Sequence, residues 1–229
     1  MALFEPFPNY VWNLAVSIAL ENGGRIGEIV DIIEPLKAAA EAGEDAGTAE
    51  FMAEWVKMAD KLVELGEEDL AKGRAFSAGN KFKRSSIYYQ TGERMQGHGH
   101  PGREETYAKA TGNFLRGVQN AGDPVTRISI PYEGKEITGL FHKAPGEGAK
   151  PCVVYCNGLD SMKEMLWMGG FPYALAKRGI HTLCVDQPGT GEALRLQGLP
   201  RDAAQRKSGR ASTSIISKRA TTCSTTRSA

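Results

Sequence analysis

The chain has 229 residues, 41% hydrophobic and 24% charged, an ordinary soluble-globular composition with enough apolar content for one large core or two smaller ones. A formal net charge of +1 gives no general electrostatic case for nucleic acid or a membrane surface, so neither is expected as a partner. The charge is uneven, however: residues 201–229 hold seven Lys/Arg beside one acid, Asp202, for a net +6, and the first 200 residues stand at −5.

In chain order, "MALFEPFPNYVWNLAVSIALENGG" has no basic residue before its apolar stretch and reads as an amphipathic helix, not a signal peptide. Val11, Leu14, Ala15 and Ile18 keep the apolar i, i+3, i+4, i+7 spacing, and Gly23-Gly24 stops the run. Met52, Trp55, Val56, Ala59, Leu62 and Val63 repeat the pattern in a longer helix from a Thr48 cap to Gly73, with "ELGEEDLAKGR" as its solvated end. Ser77 is expected to cap a third helix with Phe82, Ile87, Tyr88 and Tyr89. Pro101, followed by Glu104 and Glu105, opens a helix carrying Tyr107, Phe114, Leu115 and Val118 and closed by Gly122. Residues 1–122 thus read as an all-helical domain.

At Asp123-Pro124 the period changes. "VTRISIPY" and "KEITGLFHKA" alternate about Gly134 as a β-hairpin, and "PCVVYC" is a continuous apolar run, as of a strand covered on both faces. A single helix from Ser161 to Arg178, with Leu166, Phe171, Leu175 and Ala176 on its apolar side, leads to a second buried strand, "HTLCVD". Strand, helix and strand with short loops make a βαβ unit, so residues 123–200 open an α/β sheet. Residues 201–229 are Ser/Thr/Arg-rich without period and read as a disordered tail or an out-of-frame reading.

Ligands of open α/β sheets meet the carboxyl ends of the strands, which here carry "NGLDS" and "DQPGTGE". Gly158 lets the chain turn without a Cβ, and the N–H groups of Leu159 and Asp160 at a helix start suit a developing anion. The plain alternative for Asn157, Gly158, Leu159 and Asp160 is an ordinary strand-to-helix turn capped by Asp160 or Ser161. "QPGTGE" resembles a phosphate loop, but Glu192 and Ala193 stand where Lys and Ser/Thr belong, so nucleotide binding is a minor reading. The four histidines and four cysteines form no metal pattern; the thiols are expected to be buried and the compartment a reducing cytoplasm. No segment is long and apolar enough to span a bilayer.

The hairpin, "CVVYCNGLDSMKE", the helix and "LCVDQPGTGEALR" together resemble the α/β-hydrolase fold from its first strands to the loop after its fourth. With "SAGNKFKRSSIYYQTGERM" they are most similar to the 2,6-dihydroxypseudooxynicotine hydrolases and the fermentation-respiration-switch-like esterases, over roughly Pro8 to Pro200. The resemblance implies a helical cap on a hydrolase core and attack by a serine, with a carboxylate-oriented His as base and an oxyanion hole at the turn of Leu159. It implies a small-molecule ester or ketone substrate between cap and sheet, no metal and no organic cofactor; homo-oligomer formation stays open. Tyr88 and Tyr89 are candidates to line the pocket, although aromatics at helical spacing are more often core.

The sequence departs from that family at the nucleophile. A Gly-x-Ser-x-Gly elbow is needed between a strand and a helix, and no serine here has those neighbours. Ser161 is flanked two residues away by Leu159 and Lys163, Ser77 by Ala75 and Gly79, Ser208 by Arg206 and Arg210. Only 38 residues follow Gly191, so the acid and His segments are also missing, and the expectation is a chain cut before the elbow that turns nothing over. The competing reading is a non-catalytic interaction protein whose helical domain binds a partner.

Overall fold

The computed structural model describes residues 5–43, 48–158 and 161–200. The chain divides between Asp123 and Pro124 into two compact units. The first is helical: α1 (Tyr10–Glu21), α2 (Ile26–Ile33), a single 3₁₀ turn (Glu34–Leu36), α3 (Lys37–Glu41), α4 (Ala49–Ala71), α5 (Ala75–Arg94) and α6 (Arg103–Ala121). Asn9 caps α1 by accepting from the N–H groups of Val11 and Trp12, and the Thr48 hydroxyl accepts from Phe51 N at the start of α4.

Its core is a run of aromatic rings in edge-to-face and tilted contact. Phe7, Trp12, Phe51, Trp55 and Tyr88 follow one another with centroids 4.9 to 5.9 Å apart, each almost completely buried. α5 and α6 approach at backbone distance because Gly79 and Gly117 face each other; a Cβ on Gly79 would lie 2.7 Å from Gly117 O and 2.6 Å from Ala121 N.

Three helical expectations change. Ser77 does not cap α5, which begins at Ala75 after Arg74; its hydroxyl instead donates to Asp69 Oδ2 at 2.6 Å. That carboxylate is also paired with Lys81, so the end of α4 expected to be solvated packs Gly66 and Asp69 inside. α2 and α3 come in addition to the helices expected, with Ile29, Ile32, Ile33 and Leu36 buried at helical spacing across α2 and the 3₁₀ turn.

The second unit holds β1 (Val125–Tyr132), β2 (Lys135–His142), β3 (Cys152–Cys156), α7 (Lys163–Met168), α8 (Phe171–Ala176), β4 (His181–Val185) and α9 (Gly191–Arg195). β1 and β2 pair antiparallel through a two-residue turn in which Glu133 and Gly134 both have positive φ, the twist that suits a tight hairpin. β2 pairs antiparallel with β4 and β4 parallel with β3, giving the order β1-β2-β4-β3. The fold is therefore a helical N-terminal region followed by a mixed four-stranded sheet. Ile130, Tyr132, Ile137, Leu183, Val185, Ala193 and Leu199 form its core.

Here too the structure corrects the reading. The single helix expected over 161–178 is two, because Gly169-Gly170 interrupts it, Gly170 takes a left-handed φ of 81°, and Pro172 opens the second. The strand expected to be covered on both faces is half-exposed, with Val153 36% accessible, since β4 and not β3 is the inner strand. For the same reason Cys152 is exposed and Cys156 partly so, and among the described cysteines only Cys184 is a buried thiol. Among the described residues no helix is long and apolar enough to cross a membrane.

Candidate active site at the ends of the third and fourth strands

β3 and β4 run parallel and in register, so Cys156 and Val185 finish side by side and the segments after them leave from one edge. Asn157 is the first residue beyond β3 and is almost fully buried; Gly158 next to it is exposed. Leu159 and Asp160 lie outside the described residues. Gly158 is not forced to be glycine by its backbone: its φ is outside the left-handed range, and a Cβ there would meet nothing within 4 Å among the described residues.

Asn157 is held on both polar atoms of its side chain and on its carbonyl oxygen. Its Nδ2 donates to Asp186 Oδ1 at 2.6 Å and to Ser161 O at 3.0 Å, its Oδ1 accepts from the Thr190 hydroxyl at 2.8 Å, and its carbonyl accepts from Gln187 Nε2 at 2.7 Å. Asp186, Gln187 and Thr190 all belong to the segment after β4, so the two strand ends are laced together.

Behind them lies a buried ion cluster. Lys163 Nζ sits 3.0 Å from Asp186 Oδ2, 2.8 Å from Glu192 Oε2 and 2.8 Å from Glu164 Oε1, with Lys163 and Asp186 fully buried. Glu192 also accepts from the Thr138 hydroxyl at 2.9 Å and from the Arg127 guanidinium at 2.5 Å. Burial alone would raise the Glu192 carboxyl, but the charge and hydrogen bond of Lys163, with Thr138 and Arg127, outweigh it and hold the group below the usual carboxylate range. Glu164 goes the other way: burial, aided by the neighbouring Asp186 charge, raises it against the pull of Lys163. Lys163 and Arg127 thus face the carboxyl groups of this cluster, and buried charges of this kind persist only when they are paired and hydrogen-bonded.

The structure places the expected Asn157 and Gly158 at the end of β3, and brings to them Lys163, Asp186 and Glu192, whose pairing the sequence reading does not contain. The available signal was an acid immediately after an apolar strand and a lysine at the start of the following helix. The structure buries Tyr88 and Tyr89 in the helical unit, at 0% and 1% exposure. The Tyr88 hydroxyl donates to Glu28 Oε2 at 2.6 Å and accepts from Arg25 N, and the Tyr89 hydroxyl donates to Asp60. Burial first, then those carboxylate partners, raise both phenols. His142 accepts from Trp167 Nε1 and His181 from Ala144 N, both as core histidines. Among the described residues no group of three or more His, Cys, Asp or Glu could hold a metal ion.

The family model described as esterase FrsA-like matches residues 51–205. The α/β-hydrolase gkaG of Penicillium citrinum is 25% identical over 209 residues, covering 87% of this chain and 47% of that protein. The α/β-hydrolase psoB of Aspergillus fumigatus is 27% identical over 206 residues, covering 86% and 44%. The chain therefore spans about half the length of the curated relatives it matches. The crystal structure of 2,6-dihydroxy-pseudo-oxynicotine hydrolase superimposes with a TM-score of 0.66 at 19% identity, over 88% of this chain and 53% of that one, a likeness of fold. By the extent of the family match and the agreement of the fold, this chain is a member of the FrsA-like esterase family of α/β hydrolases.

Proposed function

We propose that the chain carries the oxyanion-binding half of a serine-hydrolase site acting on small esters or ketones. The observation that supports this reading is the end of β3, where the Asn157 side chain and carbonyl are fixed by hydrogen bonds and Gly158 beside it is exposed, at the carboxyl end of a parallel strand pair. In the reading, the N–H groups of Leu159 and Asp160 receive the negative charge that develops on the substrate oxygen. A donor of this kind contributes about 2.7–4 kcal/mol to the transition state. No metal or organic cofactor takes part, and the binding partner is the small-molecule substrate.

The 229 residues contain no Gly-x-Ser-x-Gly. A site with donors but no nucleophile retains a residual advantage of about 10³ to 10⁴ over water, so these residues by themselves give no practical turnover. The test is hydrolysis of an activated aryl ester together with labelling by a fluorophosphonate. Neither is expected; stoichiometric labelling of one serine, with turnover lost on its replacement by Ala, would refute this part of the reading.

One observation favours the interaction-protein reading as a second possibility: Tyr10, Val11 and Leu14 of α1 and Ile26 and Val30 of α2 are exposed. Specific, saturable capture of one partner by the full chain, lost on Tyr10→Ser with Ile26→Ser, would move the weight there.

A further inference from the structure

We propose that Asp186 is a positioning residue for Asn157 and Gly158, holding the end of β3, the start of α7 and the segment after β4 as a single body. The proposal rests on the reading of the turn after β3 given above, and the reaction as read gives Asp186 no chemical part. Asp186 is the first residue after β4, and it meets donors from three separate segments. Asn157 Nδ2 reaches its Oδ1 at 2.6 Å from the end of β3; Lys163 N reaches Oδ1 at 2.8 Å and Lys163 Nζ reaches Oδ2 at 3.0 Å from the start of α7; Glu192 N reaches Oδ2 at 2.9 Å from α9.

All four contacts are donors, so the position demands a side chain that only accepts, and an amide would set its NH₂ against N–H groups. The backbone is shaped to the same carboxylate. Gly191 has a φ of 44°, and a Cβ there would lie 2.2 Å from Asp186 Cγ, so α9 can begin against Asp186 only as glycine. A second tie runs parallel to the first: the Thr190 hydroxyl meets Asn157 Oδ1 at 2.8 Å and Gln187 Nε2 meets Asn157 O at 2.7 Å. Donors that stabilise a developing charge must be fixed before the charge appears, and the residue next to Gly158 is fixed from the segment 186–190.

The test is residue-resolved amide hydrogen exchange and ¹H–¹⁵N shifts on the full chain. In Asp186→Asn, the Lys163 and Glu192 amides should exchange about tenfold faster, the loss of one hydrogen bond, and the Gly158 amide and Asn157 side-chain NH₂ signals should move with them. Thr190→Val, an isosteric change that keeps the fold if Asp186→Asn does not, should move the Asn157 and Gly158 signals from across the sheet edge. Ile137→Val, a core truncation in the same unit, should lower the melting temperature and leave those signals in place, as should Asp69→Asn in the helical unit. Independent behaviour of the two segments, with Glu192 accelerated in Asp186→Asn and Asn157 and Gly158 unmoved in both variants, overturns the proposal. Phenylphosphonate added to the wild type bears on the oxyanion reading alone: if it shifts no amide of the turn that reading fails, and the exchange data still decide the coupling.

Discussion

Lys163 is the residue on which the sheet unit's polar interior depends. Replacing a fully buried ammonium that faces Asp186, Glu192 and Glu164 leaves uncompensated carboxylates, so Lys163→Met should cost about 3–5 kcal/mol, seen as a lower midpoint for the sheet unit in denaturant titration. Glu164 predicts a pH dependence. Its folded carboxyl keeps the proton to higher pH than the unfolded one, so unfolding releases a proton above about pH 4.3, and stability falls as pH rises from there to the folded value. Glu164→Gln should flatten that decline and raise the melting temperature at pH 7. Glu192 has the opposite sign: held low when folded, it contributes stability above its unfolded value that is lost as pH falls through the folded one. These side chains were hard to read from sequence because Lys, Asp and Glu are nearly always solvent-facing, and only the register of β3 with β4 shows that all four converge. Asn157 and Gly158 were legible because an Asn-Gly directly after an apolar strand is a local signal.

The β1–β2 hairpin and the parallel β3–β4 pair were legible for a similar reason, since alternation and apolar runs are written within a few residues. What failed was information held between elements. Whether an apolar strand is inner or edge depends on strand order, and "PCVVYC" looks the same in either place. The break between α7 and α8 was readable in Gly169-Gly170 and Pro172, but the apolar spacing of Leu166, Leu175 and Ala176 masked it. Among the described residues β3 has a partner only in β4, and its outer side carries Val153 at 36% exposure. Such an edge promotes association, so Val153→Lys should reduce concentration-dependent light scattering without lowering the melting temperature. At the α5–α6 contact, Gly79→Val forces the backbones apart at Gly117 O and Ala121 N; a loss of about 1–3 kcal/mol is expected, with exchange protection lost first in α6.

At the scale of the molecule, the helical unit is built from neighbouring helices and the sheet unit from pairings between distant segments, β2 with β4 most of all. Local contacts form faster and survive better, so thermal unfolding should show two transitions, with the near-ultraviolet signal of Trp12 and Trp55 persisting beyond the loss of the sheet. The central claim, that the turn after β3 receives a developing oxyanion, is tested most directly by titrating ¹⁵N-labelled chain with phenylphosphonate, a tetrahedral anion. The account predicts a saturable one-to-one shift of the Gly158, Leu159 and Asp160 amides with the helical unit unmoved. Saturable shifts confined to the helical unit, or no saturable shift at these three amides, would contradict it.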